Sequence, residues 1–463
     1  MPDRPAPSAP DDDRGHRLAR AVLTGGRVRA LLLELWQRTR LDWGFVSDRL
    51  SQTFRKEAWL GAHERRFVAE TLYGMVRHLR RVDAAIAAGA PRGTRPRDDQ
   101  RLIAYLVLDG AVAPADAARA LPGLDWAAVA AIDERLARER DPVKRLAIGG
   151  SLPDWLAARF HADWGARAPA LVAALNQRAP MTIRANRLRT TREALIAALA
   201  THGLAARPGA HAADAIIVDT RTNLFSLPEL QAGLFEAQDE GSQLLAELLG
   251  DGPPAEAAAH GDVVVDLCAG AGGKTLALAA RMGNRGRIVA TDPDPGKLDE
   301  LRRRARRAGV TTIETHALPD GAWPDALERR RGTIARVLVD APCSGIGALR
   351  RNPEARWRLR EADLADFHAR QRAITTRAAT LLAPGGHLVY ATCTLTSIEN
   401  QDVVDEVVRA TGLVRVPLAD VLGEARAATF ASVDGRDFTT TPDRHDTDGF
   451  FAAVLARPAH PVT

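Results

Sequence analysis

Along this chain the spacing of apolar residues changes most sharply near residue 250. From Arg17 to about Gly150 they recur at helical intervals. RVRALLLELWQRTR from Arg27 predicts one amphipathic helix. HERRFVAETLYGMVRHLRRVDAAI from His63 predicts a longer one, with Phe67, Leu72, Val76 and Leu79 along one face. Residues 17–150 are therefore expected to form an all-helical module. Past Ser151, SLPDWLAARF reads as a helix, MTIRANRLRTTREALIAALATHG as strand, turn and helix, and residues 215–218 as a second strand. A small α/β subdomain over 151–250 fits that order. GDGPPAEAAAHGD, from Gly250, has no apolar period and reads as a linker. Beyond it, the apolar runs VVVDL, RIVAT, ARVLVD and HLVYAT alternate with helical patterns beginning near Thr275, near Pro295 and at LADFHARQRAITTRAATLL. Continuous apolar strands separated by helices predict a mostly parallel sheet covered on both faces, a doubly wound α/β domain over 251–460. Residues 1–16, rich in Pro and Asp and without period, are read as a disordered tail.

Composition narrows the class. With 46% hydrophobic and 26% charged residues, the chain has the balance of a soluble globular protein. No apolar run reaches the roughly 18 residues of a membrane span, and the N-terminus lacks a signal-peptide core. A cytoplasmic protein without membrane association is expected, and a monomer. Three cysteines without a CxxC pair exclude a disulfide scaffold and suggest no metal site. Residues 1–150 hold 26 Lys+Arg against 20 Asp+Glu, so the excess positive charge is N-terminal. That suits a polyanionic partner, and equally a solvated arginine-rich surface. Arg65, Arg66, Arg77, Arg80 and Arg81 present the same pair of readings: phosphate contacts, or the wet face of a helix.

The first strand of the α/β domain runs into Asp266-Leu-Cys268-Ala269-Gly270-Ala271-Gly272-Gly273-Lys274-Thr275, a glycine-rich turn opening a helix. Its glycines let backbone amides approach a ligand at the positive helix end. A dinucleotide fingerprint from Gly270 fails at Thr275, where a third glycine is needed. A phosphate loop ending at Thr275 fails at Cys268, where its first glycine is needed, although the strand ending at Asp340 imitates a magnesium-holding partner. Asp292 ends the second strand, where an acid suits ribose hydroxyls. Cys343 and Cys393 each stand just beyond a strand, in DAPCSG and ATCT. Neighbouring strands would bring both thiols to one crevice; otherwise they are buried core cysteines.

Several of these segments resemble one family. DLCAGAGGKT, VLVDAPCSGIGALRRNPEARWRL, GGHLVYATCTL and DGFFAAVL closely resemble motifs of the Nop/Sun-type RNA cytosine-5 methyltransferases. FEAQDEGSQLLAELL resembles the segment preceding that catalytic domain, and ERRFVAETLYGMVRHLRRVD resembles a NusB-like RNA-binding module. Together they point to the bacterial, RsmB-type branch acting on small-subunit ribosomal RNA. The resemblance implies a Rossmann-like class I methyltransferase domain with a seven-stranded sheet, S-adenosylmethionine as cofactor and RNA, 16S ribosomal RNA in particular, as partner. It implies Cys393 as nucleophile, Cys343 as the thiol that helps break down the adduct, and Asp340 as the contact to ring nitrogen 3. Asp292 would bind ribose, and Cys268 to Lys274 the methionine end, with Lys274 pairing its carboxylate or lowering a thiol pKa. The family's adenine contact after the third strand falls near His316, with Asp320 four residues on. Arg350, Arg351 and Arg356 suit either phosphate contacts or a salt-bridged surface helix. A P-loop hydrolase and a catalytically idle RNA-binding assembly factor stand as alternatives.

Overall fold

The computed structural model describes residues 11–252, 262–318, 323–432 and 434–459. The chain divides into two units. One runs to Gln177 and also contains Leu349–Glu361; the other comprises Arg178–Ala348 and the chain from Ala362 onward.

Among its described residues the first unit contains helices and no strand. A helix over Asp11–Thr24 begins inside the segment expected to be a tail, while residues 1–10 lie outside the described residues. Helix Arg27–Asp42 buries Leu31, Leu32, Leu35 and Trp36. Helix Ala62–Gly89 buries Val68, Leu72, Met75, Val76, Val82 and Ile86, with Phe67 and Leu79 packed at the margin of the same core. The period of apolar residues thus marked the buried face. Its arginines turn back on their own unit. Arg65 Nε donates to Leu60 O at 3.1 Å, Arg77 Nη2 to Arg350 O at 3.0 Å, and Arg80 Nη1 to Leu152 O at 2.7 Å. Arg66 pairs with Glu70 and Arg81 with Asp133. These contacts favour a scaffolding role for that face over phosphate binding. The helices Asp154–Trp164 and Ala168–Leu175 also belong to this unit.

Leu349–Glu361 corrects another expectation. Arg350 and Arg356 are buried rather than presented to a ligand. Arg356 Nη1 donates to the carbonyls of Arg77 (3.3 Å), Gly150 (3.2 Å) and Ser151 (3.2 Å) and to Asn176 Oδ1 (2.8 Å). Burial, reinforced by the Arg77 charge, pushes its guanidinium down to about 9. Trp357 Nε1 donates to Val76 O at 2.8 Å, completing the attachment.

The second unit holds two sheets. The smaller is antiparallel, in the order β2-β3-β1-β4, from β1 (Thr182–Ala185), β2 (Ala206–Pro208), β3 (Ala215–Val218) and β4 (Phe235–Ala237). Helix Arg192–Thr201, capped by Thr191 Oγ1 accepting from Ala194 N–H at 3.1 Å, packs Leu195 and Leu199 on Ile183, Ile216 and Phe235. The larger sheet contains β5 (Val263–Asp266), β6 (Arg287–Asp292), β7 (Ile313–Ala317), β8 (Ile334–Asp340), β9 (Leu382–Thr392), β10 (Val414–Arg415), β11 (Phe438–Thr440) and β12 (Phe450–Ala456). Its order is β10-β12-β9-β8-β5-β6-β7, with β11 beside β12. β5 to β9 are mutually parallel, as the apolar runs predict, whereas β12 enters antiparallel beside β9. The run FFAAVL did not announce that reversal. Alternate residues feed two cores: Val264, Ile288, Leu338 and Val389 on one face, and Val265, Val289, Val337 and Tyr390 on the other. Most of the linker, residues 253–261, lies outside the described residues.

β6 and β8 flank β5 on opposite sides. The chain order reverses there, which opens a crevice at the C-terminal ends of β5 and β8, where ligands of open α/β sheets bind.

Candidate active site

The glycine turn leaves β5 and enters helix Gly273–Arg281. Gly272 has φ +87°, and a Cβ there would lie 2.1 Å from Leu301 Cδ1, so both conformation and contact require glycine. Gly270, at φ +55°, faces open space. The turn is held from several directions. Ala269 N–H donates to Thr291 O at 2.9 Å, Gly270 N–H to Asp292 Oδ2 at 3.0 Å, and Ala271 O accepts from Arg304 Nη1 at 2.6 Å. Arg304 and Arg307 in turn flank Glu236 of β4, which is 3% exposed, so the small sheet braces the turn through helix Pro295–Ala308.

Beneath the turn, Asp266 Oδ2 accepts from Thr275 Oγ1 at 2.7 Å, and Oδ1 has no hydrogen-bond partner among the described residues. Burial raises this carboxyl to about 7; the Thr275 hydrogen bond opposes the rise and the Asp340 charge adds to it. Burial, then the Asp266, Asp340 and Asp292 charges, hold the Cys268 thiol protonated well above its ordinary range. Lys274 Nζ lies 2.7 Å from Asp340 Oδ2. Burial opposes the ammonium charge, but the charge and hydrogen bond of Asp340, with Cys393 and Asp266 behind it, raise the Lys274 pKa overall. This arrangement removes the phosphate-loop reading. Thr275 Oγ1, which would face magnesium there, is buried on Asp266, and the lysine is committed to Asp340.

Cys343 and Cys393 come together from the ends of β8 and β9, with Sγ to Sγ at 3.3 Å. The hydrogen bond from Cys393 contributes most to raising the Cys343 pKa well above its usual value, followed by burial, the Cys393 charge and Glu399. Sequence reasoning passed over Glu399 and Gln371. Glu399 is fully buried between the two cysteine loops, and its partners Ser344 and Gln371 stand 55 and 28 residues away in sequence, so no local spacing could reveal it.

His316 is placed differently from expectation. The register of β6 and β7 pairs His316 with Thr291 and Ala317 with Asp292, so His316 and Asp292 leave opposite faces of the sheet. His316 Nε2 instead meets Glu314 Oε1 at 2.6 Å. Asp320 lies outside the described residues. No His/Cys/Asp/Glu cluster that could hold a metal ion occurs among the described residues, and no helix there is long and apolar enough to cross a membrane.

A doubly wound domain with a glycine turn at its switch point, an acid on the next strand and two thiols in the crevice defines a Rossmann-like methyltransferase. Comparison with known proteins carries this further. Residues 256–456 match the model described as 16S rRNA methyltransferase RsmB/F, and residues 152–224 match the ferredoxin-like domain of RsmF/B-like methyltransferases. The chain is 30% identical to the probable ribosomal RNA small subunit methyltransferase B of Synechocystis, over 86% of this chain and 92% of that one. It is 30% identical to ribosomal RNA small subunit methyltransferase B of Xanthomonas campestris, over 85% and 89%. Among solved structures, PH0851 superposes with a TM-score of 0.70 at 22% identity, covering 97% of this chain and 99% of that one. NSun6 of Pyrococcus horikoshii, determined with SFG, superposes with a TM-score of 0.56 at 21% identity, covering 66% and 98%. The chain belongs to the RsmB/F family of 16S rRNA methyltransferases.

Proposed function

We propose that this protein methylates carbon 5 of a cytosine in 16S ribosomal RNA, using S-adenosylmethionine and a covalent bond between Cys393 and the base. The meeting of Cys343 and Cys393 at 3.3 Å, beside the Lys274–Asp340 pair, is the observation that carries this reading. Carbon 5 of cytosine is a poor nucleophile. A sulfur adding at carbon 6 pushes electron density onto carbon 5 and makes it reactive.

S-adenosylmethionine, when bound, supplies an electrophilic methyl group on a sulfonium that departs as a neutral thioether. The residues present fit it. Asp266 Oδ1 is a buried acceptor without a hydrogen-bond partner among the described residues, suited to an ammonium group. Asp292, at the end of β6, suits ribose hydroxyls, and the N-terminus of helix Gly273–Arg281 suits a carboxylate. The turn from Cys268 to Lys274, with its open face at Gly270, would enclose the methionine end.

Charge supports Cys393 as the attacking sulfur: it interacts with the Lys274 cation, whereas the Glu399 carboxylate is among the causes that keep Cys343 protonated. Electron density displaced toward ring nitrogen 3 is met by a proton from Lys274 relayed through Asp340, which returns when the adduct breaks down. Once bonded to carbon 6, Cys393 carries no charge, and the largest cause keeping Cys343 protonated is gone. Cys343 then loses its proton to solvent, takes the proton from carbon 5, and the Cys393 sulfur leaves as the ring regains its double bond.

Bisulfite mapping of 16S ribosomal RNA from cells with and without the gene tests the reading. One protected cytosine should vanish with the gene; identical maps would overturn it. In vitro, Cys343→Ala should accumulate a covalent RNA–protein adduct and Cys393→Ala should not, while the reverse pattern exchanges their roles.

A further inference from the structure

We infer that Glu399 is a positioning residue of this reaction, a buried clamp that joins the two cysteine loops and fixes the spacing of their sulfurs; the inference rests on the proposed thiol chemistry. Glu399 is 0% exposed. Its Oε1 accepts from Ser344 N–H at 2.8 Å and Gln371 Nε2 at 3.1 Å. Its Oε2 accepts from Ser344 Oγ at 2.6 Å, Thr394 Oγ1 at 3.0 Å and Thr396 Oγ1 at 3.0 Å. All five donors are neutral, so folding alone has little use for a charge here: burying a carboxylate without a cation is costly, and a neutral group of the same shape could fill the space.

What the carboxylate joins explains its presence. Ser344 follows Cys343, Thr394 follows Cys393, and both hydroxyls converge on one oxygen, 2.8 Å from each other. Gln371 Nε2 also donates to Pro342 O at 3.0 Å, so the residue before Cys343 is fixed as firmly as the one after it. Gly347 N–H donates to Cys393 O at 2.9 Å, and a Cβ at Gly347 would lie 2.8 Å from that oxygen, closing the loops against each other from the far side. Across the sulfur pair the surroundings are polarised. The Glu399 charge bears on Cys343, whereas Lys274, paired with Asp340, interacts with Cys393. The clamp therefore sets distance, and its charge discourages ionisation of the sulfur that must not attack.

Glu399→Gln separates charge from shape. Its amide oxygen can keep the Ser344 and Gln371 donors, and its NH2 can donate to hydroxyls that rotate to accept. In the full-length protein without RNA or cofactor, iodoacetamide labelling of Cys343, followed by mass spectrometry across pH, should shift to lower pH than in wild type, because a like charge has been removed. In methylation assays Glu399→Ala should lower kcat by roughly 10²-fold, the cost of misplacing a reacting group by about 1 Å, with KM for RNA unchanged. If Glu399→Ala yields no folded protein, Glu399→Gln alone decides. An unmoved Cys343 labelling profile in Glu399→Gln, or a loss in Glu399→Ala confined to KM, overturns the inference. Labelling that responds to Glu399 in a protein making no 5-methylcytosine leaves the clamp standing and removes the proposed reaction instead.

Discussion

Gly272→Ala and Gly270→Ala differ by two positions in the same turn, and the structure assigns them different failures. At Gly272 the backbone sits at φ +87°, which costs a side-chain-bearing residue roughly 1–2 kcal/mol. The new Cβ would also lie 2.1 Å from Leu301 Cδ1 and 3.1 Å from Cγ. Leu301 is fully buried, so relieving that overlap means shifting a packed side chain, an overpacking cost of about 1–3 kcal/mol. The total for Gly272→Ala is about 2–5 kcal/mol. Gly270, at φ +55° with nothing within 4 Å of its Cβ position, pays only the conformational part. Urea denaturation should therefore rank Gly272→Ala below Gly270→Ala by about 1–3 kcal/mol, and adding Leu301→Ala should recover a coupling of similar size in a double-mutant cycle. Calorimetric titration should show the complementary pattern: Gly270→Ala weakens S-adenosylmethionine binding out of proportion to its stability, because its methyl enters the open face of the turn. Equal destabilisation by the two alanines, with no coupling to Leu301, would refute the close-approach argument.

Other consequences are testable in the same protein. Burial, with the Arg356, Arg77 and Arg81 charges, lowers His78 to about 3. The folded state thus refuses a proton that the unfolded chain takes near 6.5. Its contribution is intact above that value and lost as pH falls from 6.5 toward 3, about 2 kcal/mol at pH 5, and denaturation at pH 7.5 and 5 should show the loss shrink in His78→Asn. Glu236→Ala removes the buried carboxylate shared by the partly buried Arg304 and Arg307 and should cost about 2–3 kcal/mol in denaturation, with weakened cofactor binding because Arg304 also holds Ala271 O. Cys268, held protonated by burial and by the Asp266, Asp340 and Asp292 charges, should react slowly with iodoacetamide at pH 8 and faster as the pH is raised.

The parallel strands were legible because each is a short apolar run buried on both faces, and the glycine turn because its chemistry is local. The two thiols were legible as strand-end residues, yet only the strand order, with β8 beside β9, brings their sulfurs together. Arg356 misled because an arginine in a short polar stretch reads as surface, while its partners are carbonyls about 180 to 280 residues earlier in the chain. His316 misled for a different reason: one residue of register decides which face of a strand a side chain leaves, and register is set by the neighbour. Glu399 stayed hidden because an acid ahead of helix Gln401–Thr411 looks like ordinary helix-end chemistry.

The assignment of Leu349–Glu361 to the helical unit bears on how the protein is made. A ribosome delivers Arg77, Gly150, Ser151 and Asn176 long before Arg356, the side chain that satisfies all four, so the helical unit cannot reach its final hydrogen bonding while it alone has emerged. Nascent-chain folding of this unit is therefore expected to finish in two stages separated by the synthesis of the small sheet and of β5 to β8 of the larger one. The same discontinuity limits dissection of the gene: a cut at Gln177 leaves the helical unit without its buried arginine and leaves the other fragment carrying a segment whose apolar and cationic groups have lost their seat.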